Sequence, residues 1–193
     1  PDLRGKLTLI QVLVPSRRSL REYKILKARI DRMIGEINGE FASMDWAPIQ
    51  YHYRPLSDLE LLAYYRAADI ALVTPLKDGM NLVAKEYCAC TIGNEGVLIL
   101  SEFAGAAAQF HTGALMVNPY DCEGTADAIH QAFSMDRPEK RRRMRKLREK
   151  IRRQNIFWWV DSFLQAAFAR HLNDFPPVEE YLPDMSLEED SPG

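Results

Sequence analysis

Five short apolar runs, spaced along the chain and separated by helical patterns, limit this sequence to very few folds. They are Lys6 to Val14 (KLTLIQVLV), Ile49 to Tyr53, Ile70 to Val73, Gly96 to Leu100 (GVLIL) and Ala114 to Val117. Each is rich in β-branched or aliphatic residues with little polar alternation, as in strands covered on both faces. Between the first two, Tyr23, Leu26, Ile30, Met33, Ile34 and Ile37 recur at three- and four-residue spacing, which predicts a helix from about Leu20 to Ile37, ended by Asn38-Gly39. Ser57-Asp58-Leu59-Glu60 is a capping box opening a helix to about Ala67. Further helices are expected over Asn81 to about Ala89, in the Ala-rich stretch after Gly105, and over Cys122 to Ser134, Asp136 to Arg153 and Ile156 to His171. Strands alternating with helices predict an α/β fold: a Rossmann-like parallel sheet with helices on both faces. Residues 1–154 read as one such domain, 155–172 as a C-terminal helix, and 173–193 as an acidic, Pro-rich tail.

In a sheet of this kind ligands sit beyond the carboxyl ends of the strands. The stretch from Ala71 to Glu86 (ALVTPLKDGMNLVAKE) passes from a strand through Pro75 and Asp78-Gly79 into a helix with Asn81 as N-cap. The first amides of that helix lack backbone partners and its dipole favours an anion, typically a phosphate. Asp78 is not needed for the turn on this reading, and Glu86, one and a half turns further on, is free to accept from ligand hydroxyls. No G-x-x-x-x-G-K-[ST] or G-x-G-x-x-G pattern is present, which disfavours a nucleotide-hydrolase loop or a dinucleotide fingerprint. Amides for phosphate together with carboxylates for hydroxyls suit a sugar nucleotide. Arg17 and Arg18, after the first strand, could grip a phosphate or simply be solvated.

Other features are weighed against this one. Lys140 to Arg153 holds ten basic residues and one acid, Glu149, so the rest of a chain of net charge −2 carries −11. Met144, Leu147 and Ile151 form an apolar stripe within it, which predicts a docked helix with a charged outer face, and no aromatics interleave to stack on bases, so nucleic-acid binding is not expected. Phe157, Trp158, Trp159 and Phe163 suit core or interface packing. Three cysteines without C-x-x-C spacing and four scattered histidines predict neither a disulfide framework nor a metal site. No apolar run reaches the roughly 18 residues of a membrane span, and the N-terminal residues do not resemble a signal peptide, so a cytoplasmic protein is expected. The sequence starts at Pro1, beside a strand and without an initiator methionine, and is expected to be part of a longer protein.

At Thr74 to Tyr87 (TPLKDGMNLVAKEY) the chain resembles the trehalose-6-phosphate synthase family, retaining glycosyltransferases with the two-domain GT-B fold. Val14 to Arg17 (VPSR), Gly35 to Gly39, Tyr65 to Val73 (YRAADIALV), Leu100 to Ala107 (LSEFAGAA) and Val117 to Asp121 (VNPYD) follow in the family's order. The resemblance spans about residues 7–170 and implies the C-terminal, donor-binding half of that fold. It implies transfer of glucose from UDP-glucose to glucose-6-phosphate with retention, giving trehalose-6-phosphate and UDP, without a metal or other cofactor. The amides of Leu82 and Val83 would hold the donor diphosphate and Glu86 the ribose hydroxyls. Asp78, Gly79, Met80 and Asn81 would hold the donor glucose, with Asp78 the candidate catalytic residue. Arg17 would hold the acceptor phosphate, and Val12 and Leu56 would flank the uracil, although the family usually has an aromatic residue at position 56.

The family's R-x-D-Y-x-K-G motif and its N-terminal acceptor domain would precede Pro1. The helix at 155–172 would pack toward that domain, and the 193 residues alone are expected to bind donor without turnover. A homo-oligomer is compatible with the resemblance. Within the same chemistry stand a glucosylglycerol-phosphate synthase and a pseudo-glycosyltransferase acting on cyclitols; outside it stands a non-catalytic sugar-nucleotide sensor.

Overall fold

The computed structural model describes residues 3–15 and 21–168. The chain divides into two compact units, residues 1–61 and 62–193, a division the sequence reading did not make. Every strand pairing is parallel, as expected, and the strands fall into two sheets, one of two strands and one of three.

In the first unit, β1 (Leu9–Val12) pairs with β2 (Ile49–His52), and α1 (Arg21–Phe41) connects them. Two expectations are corrected here. β1 is not covered on both faces: Leu9 and Ile10 are exposed, and Gln11 and Val12 are only half-buried. A sheet of two strands with one helix in its unit has too little material to enclose its central residues. Nor does α1 stop at Asn38-Gly39. The helix continues to Phe41 because the Asn38 side chain is used elsewhere: its amide donates to the Ile49 carbonyl (2.9 Å), and the Ile49 N–H donates back to its oxygen (3.0 Å). A side-chain amide thus stands where a further strand would pair with β2, and Asn38 is no longer available as a cap. The stripe from Tyr23 to Ile37 contains no buried residue.

The capping box forms as expected. The Ser57 N–H donates to Glu60 Oε2 (2.9 Å), and the Glu60 N–H to Ser57 Oγ (3.3 Å), at the start of α2 (Asp58–Ala67).

The second unit carries the core. Its sheet has the order β3 (Ile70–Val73), β4 (Val97–Ser101), β5 (Leu115–Val117), linked through α3 (Leu82–Cys90) and α4 (Ala107–Phe110). Then follow α5 (Cys122–Ser134), α6 (Arg137–Arg153) and α7 (Ile156–Phe168). β4 is central and every residue in it is buried. Its side chains alternate between two clusters, as the period of a strand requires. Leu98 and Leu100 join Tyr87, Phe110, Met144 and Leu147 on one face, while Val97 and Ile99 join Leu115, Val117, Ala128 and Ala132 on the other. Helices therefore cover both faces of this sheet.

The expected apolar stripe of α6 is buried at Met144 and Leu147 and half-buried at Ile151, while Arg148 Nη1 donates to the carbonyls of Cys88 (3.1 Å) and Ala89 (2.9 Å) at the end of α3. A cation is favourable at that negative helix end. Burial pushes the Cys88 thiol up to about 12, so it stays protonated and inert. The core reading for Phe157, Trp158, Trp159 and Phe163 is not met, because all four are exposed; Trp159 and Phe163 stack on each other one turn apart, with centroids 5.5 Å apart. The tail from 173 onward, and the last residues of the helix expected to reach His171, lie outside the described residues.

Candidate functional site

Pro75 cannot donate to a ladder, and β3 accordingly ends at Val73. The loop from Thr74 to Asn81 then runs over the carboxyl edge of the second unit's sheet. Asp78 organises it. Its Oδ1 accepts from the backbone N–H groups of Met80 and Asn81, both at 3.0 Å, and its Oδ2 accepts from the Asn81 side-chain amide at 2.9 Å. The expectation that the carboxylate is not needed for the turn is therefore overturned: both of its oxygens build the turn. These bonds, the one from the Met80 N–H first, hold the Asp78 carboxyl below its ordinary value.

Asn81 is the expected N-cap, its Oδ1 accepting from the Ala84 N–H at 2.9 Å. It is also the residue of the loop with left-handed backbone (φ 66°), whereas Gly79 has no positive φ and open space where a Cβ would stand. A non-glycine residue in this region is strained unless its surroundings hold it. Here Asp78 holds it from one side and the first turn of α3 from the other. With Ala84 capped, the N–H groups of Leu82 and Val83 remain, and they donate to no group among the described residues. Two free amides at a helix start, beside a loop locked by its own carboxylate, form a preorganised anion cradle. The side chains of Leu82, Val83 and Met80 are exposed.

A second loop supports the first. Asp78 forms a parallel bridge with Ala104: its N–H donates to the Phe103 carbonyl (3.3 Å), and the Gly105 N–H donates to its carbonyl (2.7 Å). A Cβ on Gly105 would lie 2.1 Å from the Gly79 carbonyl oxygen and 2.5 Å from its carbon. Gly105 is thus required by the close approach of two backbones. Sequence reasoning placed Gly105 just before an Ala-rich helix but missed this role; the Gly105-Ala106 step before a short helix was the available signal.

Glu86 projects from α3, exposed, and its Oε2 accepts from the Tyr65 hydroxyl at 2.8 Å. Its other oxygen accepts no hydrogen bond among the described residues. Tyr65, on the last turn of α2, was missed as a site residue because in sequence it reads as one more aromatic on a helix face. Burial, and then the bond to Glu86, raise its phenol well above the ordinary value, so it remains a proton donor.

Val12, the last residue of β1, and Leu56, just before α2, are both half-buried and belong to the first unit. Arg17 lies outside the described residues. The structure therefore brings Asp78 through Glu86 together in one place in the second unit and describes Val12 and Leu56 separately. No cluster of three or more His, Cys, Asp or Glu able to hold a metal occurs among the described residues, and none of their helices is long and apolar enough to cross a membrane.

Parallel strands flanked by helices, with an amide-lined strand–loop–helix junction at the carboxyl edge, define an α/β protein with a candidate anion site at that junction. The model for glycosyltransferase family 20 matches residues 1–169, and the chain belongs to that family. It is 47% identical over 163 residues to the trehalose-6-phosphate synthase of Mycobacterium leprae, which covers 84% of this chain and 32% of that protein. To the glucosylglycerol-phosphate synthase of Synechocystis it is 40% identical over 177 residues, 92% of this chain and 35% of that protein. Among solved structures, the UDP-forming alpha,alpha-trehalose-phosphate synthase of Burkholderia xenovorans in complex with glucose-6-phosphate superposes with a TM-score of 0.82 at 38% identity, over 87% of this chain and 37% of that one. The E. coli trehalose-6-phosphate protein bound with UDP-2-fluoro glucose gives 0.82 at 37% identity, over 86% and 37%. The chain thus spans about a third of the length of these proteins.

Proposed function

We propose that this chain is the donor-binding part of a GT-B glycosyltransferase that moves glucose from UDP-glucose to glucose-6-phosphate with retention, producing trehalose-6-phosphate and UDP. The observation that carries the reading is the junction itself. Two unbonded amides, Leu82 and Val83, stand at the start of a helix whose preceding loop is locked by Asp78, with the Glu86 carboxylate further along the same helix. The amides take the diphosphate, Glu86 the ribose diol, and the loop Gly79-Met80-Asn81 the glucose. Asp78 serves the reaction by fixing that loop and keeping a negative charge beside the sugar.

Val12 and Leu56 flank the base, and Arg17 takes the acceptor phosphate. Preorganised amides are suited to the charge that gathers on a departing diphosphate, because they need no rearrangement as it forms. The exposed apolar residues of α7 face the acceptor-binding part of the whole protein, and that protein works in the cytoplasm without a metal. The support for UDP-glucose and glucose-6-phosphate is that relatives sharing this fold at 37–38% identity bind a UDP-glucose analogue and glucose-6-phosphate.

Calorimetric titration of the 193-residue chain with UDP, UDP-glucose and ADP-glucose tests the reading. Binding of the uridine ligands is expected, weakened about tenfold or more by Glu86→Ala, in line with the loss of hydrogen bonds to a charged group. Equal affinity of the wild type and Glu86→Ala overturns the assignment of Glu86. In a UDP-release assay the chain alone is expected to give negligible turnover, and turnover at the level of an intact enzyme refutes that. A second reading, glucosylglycerol-phosphate synthesis, shares the donor site and rests on the 40% identity to the Synechocystis protein. Comparing glucose-6-phosphate with glycerol-3-phosphate as acceptor in the whole protein separates the two.

A further inference from the structure

Glu86 differs from Glu95 and Glu139 of the second unit in what holds it. Glu95 and Glu139 are each gripped by arginines, Arg137 and Arg141 in the first case and Arg142 and Arg143 in the second. Among the described residues Glu86 has no cation beside it, and its partner is a neutral phenol, Tyr65, whose ring is half-buried against the core cluster of Tyr87, Leu98 and Leu100.

Guanidinium partners such as those at Glu95 and Glu139 offset the carboxylate's charge. A single phenol fixes one oxygen, leaves the charge and leaves the other oxygen free. An exposed glutamate without such a tie keeps its rotamer freedom and has to surrender it on binding a ligand.

We propose that Tyr65 is a positioning residue for Glu86, orienting the carboxylate from α2 so that its free oxygen meets the vicinal hydroxyls of a ribonucleotide. This rests on the donor-site reading above. Tyr65 touches no ligand; it sets discrimination for ribose over deoxyribose through Glu86. A carboxylate has about four acceptor positions over its two oxygens, so one phenol still leaves enough for both hydroxyls of a diol.

The test is calorimetric titration of the 193-residue chain, as wild type, Tyr65→Phe, Glu86→Ala and the double variant, with UDP and with 2′,3′-dideoxy-UDP. Tyr65→Phe keeps the ring that packs on the core, and thermal unfolding confirms that it folds. It is expected to weaken UDP about three- to tenfold, the range for the net contribution of one ordinary hydrogen bond, and to change dideoxy-UDP by less than about twofold. In the Glu86→Ala background the same change is expected to do nothing further. Equal weakening of both ligands, or an undiminished loss on top of Glu86→Ala, makes Tyr65 merely structural and overturns the proposal while leaving the donor site standing. Wild-type chain that fails to bind UDP, or binds both ligands equally, brings down the donor-site reading and this inference with it.

Discussion

The two units of this chain are written in the same sequence idiom, yet only one of them has an interior. Residues 62–168 contain every fully buried side chain among the described residues, arranged in two clusters on either side of β4. In residues 3–15 and 21–61 none is buried, although Leu9, Ile10, Leu26, Ile30 and Met33 are as apolar as anything in β4. What holds the first unit is largely polar. Asn38 clasps Ile49, the Trp46 indole donates to Thr8 Oγ1 (3.0 Å), and Ser57 and Glu60 close the capping box. An apolar stripe states that a surface favours cover; it does not say what covers it, or whether the same unit supplies the cover. The candidate junction lies in the second unit, where the core fixes β3, β4 and α3 and so fixes the loop between them.

The largest expected effect compares the same substitution in the two units. Leu147→Ala, at a position 1% exposed, is expected to cost the second unit about 3 kcal/mol, from lost transfer energy and the cavity left behind. Leu26→Ala, at 54% exposed, is expected to cost the first unit under about 1 kcal/mol. Denaturant unfolding followed by amide exchange, read separately in each unit, decides it; similar losses in both would mean that the first unit does have an interior.

Next comes Gly105→Ala. Its Cβ would run into the Gly79–Met80 peptide group, 2.1 Å from the oxygen and 2.9 Å from the nitrogen, and no side-chain rotation can relieve that contact. A loss of about 2 to 3 kcal/mol is expected, with the loop at Asp78 displaced and UDP binding reduced. A variant of unchanged stability that still binds UDP would show that the two loops are not coupled.

Asn38→Ala follows, on the other side of the comparison. It leaves the N–H and C=O of Ile49 without partners in a half-buried setting, and a loss of about 1 to 2 kcal/mol is expected, confined to the first unit. Exchange protection that falls in β2 and leaves β4 untouched confirms this; uniform loss across both sheets contradicts it.

The elements that could be read from sequence are those whose signal is local. The capping box at Ser57, the strand stop at Pro75, the Asn81 cap and the alternation along β4 all depend on residues a few positions apart. What could not be read depends on distant backbone. Asn38-Gly39 looked like a helix stop until Ile49, eleven residues on, took the asparagine. The same holds in the site. Asp78, Asn81 and Glu86 were legible because one strand–loop–helix step carries them. Tyr65 and Gly105 come from other elements, and nothing in their own surroundings announces which loop or carboxylate they meet. Asp78 was found but its work was misjudged, since a carboxylate beside a helix start looks available to a ligand until its acceptors are counted.

The smallest effect separates the units by acid. Glu60 in the first unit is held down at about 2 by Arg54, then by the Ser57 N–H and hydroxyl, and Asp78 in the second is held below its ordinary 3.8 chiefly by the Met80 N–H. Both folded-state values are depressed, so each carboxylate's contribution is complete above its unfolded value and is lost as pH falls through the folded one. For Glu60 that window runs from 4.5 down to about 2; for Asp78 it lies below 3.8. Protection factors at the start of α2 are therefore expected to fall as pH drops from 4.5 toward 2, and those at Met80 and Asn81 as it drops below 3.8. Glu60→Gln should flatten only the α2 response and Asp78→Asn only the loop response. If both variants change both regions alike, the cap and the loop melt together, and the two units lose their independence in acid.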